Sequence, residues 1–163
     1  MAACVKFGCK IDPTPEEEAS IQSLIHLQQV HGVFVNDYFS WPKEAKAYEE
    51  SGGKIPIRNA VDLQMRWSGM NAEEAQLAIK RKCWQINEEY AFLKKEHFRL
   101  HKDTITPTTR RWLALYELME AGNITWSMTS WRHNSPGGHG YRAYYEKRCR
   151  EGAVFSEYCD KGN

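Results

Sequence analysis

Between residues 83 and 100 the side chains Cys83, Ile86, Tyr90, Leu93, His97 and Leu100 recur at alternating steps of three and four. With about 3.6 residues per turn, an α-helix gathers such a series onto one face. Lys80, Lys94, Lys95 and Arg99 fall opposite it. A helix with one such stripe buries it against other helices, so the expected architecture is an all-α bundle.

The remaining segments read the same way. Thr14-Pro15-Glu16-Glu17 opens a helix with a hydroxyl cap, a first-turn proline and acidic residues. It is expected to run through Ile21, Leu24, Ile25 and Gln28, past Gly32-Val33, and to fray at Ser51-Gly52-Gly53. Pro42 inside it removes one backbone hydrogen bond, which predicts a bend between Ser40 and Glu44. A short helix is expected over residues 57–67, closed by Ser68-Gly69, before Asn71 caps the long one. Thr106-Pro107 opens another, with Trp112, Leu115, Tyr116 and Met119 on one face and an end at Gly122-Asn123. Ser135-Pro136-Gly137-Gly138-His139-Gly140 reads as a linker, since it lacks the Gly-Lys-Ser/Thr ending of a phosphate loop. Residues 141–152 then read as a basic, tyrosine-rich helix and 154–163 as a tail.

Within the first long helix, Asn36, Ser40 and Glu44 stand at i, i+4 and i+8. Each four-residue step turns the side chain by only about 40°, so the three share one face over roughly 12 Å of axis. An amide oxygen, a hydroxyl and a carboxylate suit Mg2+ over zinc or copper, and one protein carboxylate normally leaves room for substrate phosphates and water. Asp37 points about 100° away from Asn36, which suggests a structural hydrogen bond or salt bridge instead of ligation. As a control on the spacing, three polar residues at this interval also occur by chance on solvated helix faces.

Asn36, Asp37, Ser40, Lys43 and Glu44 resemble the second metal-binding motif of the class I terpene synthases, Asn/Asp-Asp-x-x-Ser/Thr-x-x-(Lys)-Glu. The surrounding residues 35–44 are most similar to fungal cyclases, including the cyclase domains of fusicoccadiene- and ophiobolin-type chimeric synthases. About ninety residues on, Trp126-Ser127, Arg132, His133 and Asn134 resemble the family's Trp-Ser-(x)4-Arg-Tyr-Asn ending, with His133 in place of tyrosine. The resemblance implies that Asn36, Ser40 and Glu44 hold Mg2+, and that Lys43, Arg132 and His133 bind the substrate diphosphate. Arg132 would use the fixed donor geometry of its guanidinium, and His133 one donor that titrates near neutral pH. No catalytic residue beyond these ligands is implied. Trp126 and Trp131 are candidates either for packing or for stabilising carbocations through their π faces.

By this resemblance residues 1–134 correspond to the C-terminal half of a cyclase helical domain, a partial class I terpenoid synthase bundle, with 135–163 unmatched. The implied activity is that of a terpene cyclase, a carbon–oxygen lyase acting on phosphates. It ionises a linear prenyl diphosphate, with the diterpene or sesterterpene range favoured, in fungal isoprenoid secondary metabolism. The family's first, Asp-rich metal motif has no counterpart, since Glu16-Glu17-Glu18 and Glu88-Glu89 lack its i, i+4 geometry and read as capping or solvated charges. The alternative is therefore a noncatalytic helical module with a weak Mg2+ or diphosphate site that associates with another cyclase chain.

A net charge of +1 lacks the basic excess of a nucleic-acid binder. No apolar run reaches membrane-spanning length and the N-terminus has no signal core, so a cytoplasmic location is expected. Cys4, Cys9, Cys83, Cys149 and Cys159 lack paired Cys-x-x-Cys spacing, which favours free thiols over a zinc site. His97 and His101 stand at i, i+4 without an acidic partner and read as packed or surface imidazoles.

Overall fold

Side-chain caps set where the helices begin. Thr14 Oγ1 accepts from the Glu17 N–H while the Glu17 carboxylate accepts from the Thr14 N–H, and Asn71 and Glu74 repeat this reciprocal box one helix pair later. The computed structural model describes residues 2–130 and His133, with side chains from Lys6 onward. The described residues form six helices: α1 (Ala2–Cys9), α2 (Pro15–Ser20), α3 (Gln22–Glu50), α4 (Ala60–Ser68), α5 (Ala72–Leu100) and α6 (Pro107–Thr129). The all-α expectation holds. The chain divides into two compact units, Met1–Ile124 and Thr125–Asn163. Trp131, Arg132, Asn134, the glycine-rich segment and the tail lie outside the described residues.

Several boundaries differ from those expected. The first long helix is interrupted at Ile21, whose φ of −115° and ψ of 10° leave the helical region while its side chain is completely buried. α4 begins three residues late because Asn59, in extended backbone, caps it through the Val61 N–H. α6 continues past Gly122-Asn123 to Thr129. Asn123 Nδ2 donates to the carbonyl of Gly32 at 3.4 Å, so a residue read as a stop signal instead ties α6 to α3. α1 was not anticipated; it ends at Lys10, which takes a φ of 51° and lets the Ile11 N–H return to the Lys6 carbonyl. Gly69 supplies the left-handed residue that closes α4, as expected.

α5 packs along both α3 and α4. Its stripe is buried at Cys83, Ile86 and Tyr90, partly covered at Leu93 and His97, and lost at Leu100, which is exposed near the helix end. Two cores result. The larger joins Ile11, Ile21, Leu24, Ile25, Tyr90, Trp112, Leu113 and Tyr116. Trp112 and Tyr116 are entirely buried within it, so the aromatic face of α6 is packing. The smaller joins Trp41, Val61, Ala75 and Ile79 beneath the second half of α3. Burial of each large apolar side chain stabilises by about 1.5–3 kcal/mol.

Candidate metal and diphosphate site

α3 continues through Pro42 to Glu50 and carries Asn36, Ser40, Lys43 and Glu44 on one helix. Ser40 is buried, Asn36 and Glu44 are half-buried, and Lys43 is exposed. Lys43 lies seven residues after Asn36, nearly two full turns, and so returns to the same side of the helix. Ser40 Oγ and Glu44 Oε2 converge on a single atom, Asn59 Nδ2, at 3.2 and 3.3 Å. The Asn36 amide nitrogen donates to Asp37 Oδ1 at 3.4 Å.

Asp37 has a different task. Its Oδ2 accepts from the Ala60 N–H at 2.8 Å, so this carboxylate docks the start of α4 against α3 and also favours the helix N-terminus electrostatically. The expected structural hydrogen bond is thus present. Burial pushes the Asp37 carboxyl above its ordinary range, the Ala60 N–H and Asn36 amide oppose that, and the neighbouring Glu44 charge adds to it. Among the described residues neither Asp37 nor Glu44 has a basic partner. Glu44 thus stands on the ligand face without an ion-pair partner among the described residues, while Asp37 is turned to the α4 side.

These residues fit a hard divalent ion. Amide, hydroxyl and carboxylate oxygens from one helix face are oxygen donors of the kind such ions prefer, and Ser40 and Glu44 are close enough together to be within reach of the same Asn59 nitrogen. Among the described residues no group of three or more His, Cys, Asp or Glu side chains converges on a metal position. Among the described residues an ion on α3 would accordingly depend on neutral donors plus one carboxylate.

The proposed diphosphate ligands divide between the two units. Lys43 belongs to the first and extends into solvent. His133 belongs to the second, where it is buried with its ring edge-on to Trp126, centroids 5.1 Å apart, and its N–H donates to the Ser130 carbonyl. Arg132 is outside the described residues.

The acidic run at the start of α2 supplies the expected cap and, beyond that expectation, an ion pair. Glu17 completes the capping box and accepts from Thr106, while Glu18 pairs with Lys6 at 2.6 Å. His97 and His101 lie 4.5 Å apart, centroid to centroid. Burial, then the His101 charge, lower the His97 pKa. Cys9 and Cys83 are free thiols.

A cavity of about 580 Å3 opens between the first half of α3, α5 and α6. His31, Asn87, Lys94, Glu117 and Glu120 bring polar groups to a wall that is otherwise largely apolar, and none of Asn36, Ser40 or Glu44 lines it, so it is not part of the α3 site. Within its wall the His31 Nδ1–H donates to Glu120 Oε2 at 2.7 Å, and Nε2 accepts from Asn87 Nδ2 at 3.2 Å. Sequence reading missed this trio because His31 and Glu120 are eighty-nine residues apart.

Residues 1–88 match the family described as terpene synthase family 2, C-terminal metal binding, a span that includes all of α3 and α4. The chain belongs to this terpene synthase family. Among its relatives is the terpene cyclase-like protein flvF of Aspergillus flavus, 30% identical over 153 residues, or 93% of this chain and 42% of that protein. A cyclopiane-type diterpene synthase of Penicillium chrysogenum is 29% identical over 142 residues, 87% of this chain and 18% of that one. The sesterterpene synthase btcA of Colletotrichum orbiculare is 28% identical over 131 residues, 80% and 18% respectively. This terpene synthase-like chain thus spans under half the length of flvF and less than a fifth of the other two. None of its described helices is long and apolar enough to cross a membrane.

Proposed function

We propose that the chain is the metal-binding portion of a terpene cyclase, with Asn36, Ser40 and Glu44 holding Mg2+ against the diphosphate of a prenyl substrate. Residues 1–134 then correspond to the C-terminal half of a cyclase helical domain, a reading the family match supports over residues 1–88. The observation that carries the reading is the Glu44 carboxylate on α3, half-buried and without an ion-pair partner among the described residues, beside the buried Ser40 hydroxyl and the Asn36 amide at helical spacing.

When bound, the ion would act as a Lewis acid that neutralises charge developing on the departing diphosphate. The chain's own residues do the rest. Asn36, Ser40 and Glu44 supply oxygen ligands, Asp37 keeps α4 docked so that this face stays ordered, and Lys43 meets phosphate oxygens from the exposed side of the same helix. By the family resemblance, Arg132 and His133 are the chain's further diphosphate donors, charge-assisted and neutral respectively. The diterpene and sesterterpene synthases among the relatives favour a C20 or C25 substrate.

The test is diphosphate release from C10 to C25 prenyl diphosphates by the folded chain, with and without Mg2+. Release that Asn36→Ala and Glu44→Gln abolish is the expected result. A cooperatively folded chain that releases nothing would favour the second reading, a noncatalytic module that works with another cyclase chain. One observation supports that alternative: Trp67, Trp84 and Phe92 are 79%, 68% and 64% exposed, on α4 and α5.

A further inference from the structure

Asn59 belongs to no motif, yet its whole side chain is committed and it is only 2% exposed. Its Oδ1 accepts from the Val61 N–H at 2.8 Å and so starts α4. Its Nδ2 faces three acceptors: the Asp37 carbonyl at 3.0 Å, Ser40 Oγ at 3.2 Å and Glu44 Oε2 at 3.3 Å. An amide nitrogen carries two hydrogens, so three acceptors share two donors, and the two longer contacts are the weaker ones. Ser40 and Glu44 are also the two α3 side chains that converge. A hydroxyl oxygen has two lone pairs and a carboxylate about four acceptor directions, so the N–H donors that Ser40 and Glu44 share with the Asp37 carbonyl orient both groups and leave lone pairs open.

Resting on the metal reading above, we propose that Asn59 is a positioning residue of the α3 site, fixing Ser40 Oγ and Glu44 Oε2 from the α4 side so that together they face a divalent cation. The helical spacing puts the ligands on one face; the α3–α4 junction sets their rotamers. Because the same amide oxygen caps α4, docking of α4 and assembly of the site are one event. Outer partners that orient metal ligands typically alter affinity by about 10–100-fold when removed.

Asn59→Ser separates the two roles, because serine keeps an oxygen for the helix cap and lacks the nitrogen that reaches Ser40 and Glu44. The experiment uses the full chain with inorganic diphosphate. Mn2+ stands in for Mg2+, free Mn2+ is counted by electron paramagnetic resonance, and Mg2+ serves as competitor. The expected result is an affinity about tenfold weaker in Asn59→Ser, with a melting midpoint close to that of the parent. A folded Asn59→Ser chain with parental affinity overturns the role of Asn59 and leaves the metal reading standing. A parental chain without Mn2+ uptake, or with uptake that Glu44→Gln does not reduce, overturns the metal reading itself. If Asn59→Ser fails to fold, the Asn59 side-chain amide signal of the parent decides by NMR. A shift on saturation with Mg2+ and inorganic diphosphate supports the role, and an unmoved signal under saturation overturns it.

Discussion

In the first half of α3, His31 commits both ring nitrogens to protein partners, Glu120 and Asn87, and is 2% exposed in a wall that also includes Tyr90. In the second half, Ser40 and Glu44 share one neutral amide, and Glu44 meets no basic side chain among the described residues. Both clusters sit on one helix and both are partly or fully buried, but only in the first does the carboxylate accept from a ring N–H whose other nitrogen is also held by the protein. Burying a charged group without a partner is costly, so the contrast separates a cluster that ties helices together from one arranged to receive a cation.

The largest expected effect comes from damaging the first cluster. His31→Ala strands the Glu120 carboxylate in the interior and should cost about 3–5 kcal/mol of stability, read from urea unfolding, with metal uptake by the remaining folded chain unchanged. Were His31→Ala to abolish uptake at full stability, the division between the two clusters would collapse. Glu44→Gln should do the reverse, removing metal uptake while shifting stability by no more than about 0.5 kcal/mol. Loss of several kcal/mol from that change alone would mark Glu44 as structural.

Smaller effects test the frame around both clusters. Asn71→Ala removes the reciprocal cap of α5 and should lower stability by about 1 kcal/mol, equally for either half of α3. Burial pushes the Cys83 thiol up to about 11, so iodoacetamide at pH 8 should modify it far more slowly in the folded chain than in urea, and faster as pH approaches that value. Rapid folded-state modification would mean that the α5 stripe opens. The smallest effect is at Glu17, which the Thr106 hydroxyl and Thr14 N–H hold below the ordinary carboxylate range. A lowered carboxyl stabilises above its unfolded pKa and loses that contribution as pH falls through the folded value. Glu17→Gln should accordingly flatten the acid limb of the melting curve.

Much of this was legible in the chain itself. The three-four stripe located α5, the caps at Thr14 and Asn71 located two helix starts, and the i, i+4, i+8 oxygens put the candidate ligands on one face of α3. The extension of α6 was not legible, because Gly122-Asn123 is a stop signal locally and is overridden by a hydrogen bond from Asn123 to Gly32 on another helix. Asn59 falls unmarked inside the helix expected over residues 57–67; its reach to Ser40, Glu44 and the Asp37 carbonyl exists only once α4 folds back on α3. The His31–Glu120 contact carries no local pattern at all. Spacing within a helix is written in sequence, whereas pairing between helices depends on packing that periodicity does not encode.

The most direct test of the central claim is calorimetric titration of Mg2+ into the folded chain in the presence of inorganic diphosphate, for the parent and for Glu44→Gln. Saturable uptake by the parent that Glu44→Gln removes at unchanged stability is the predicted result. Uptake identical in both chains, or none in a parent shown to be folded, would contradict it.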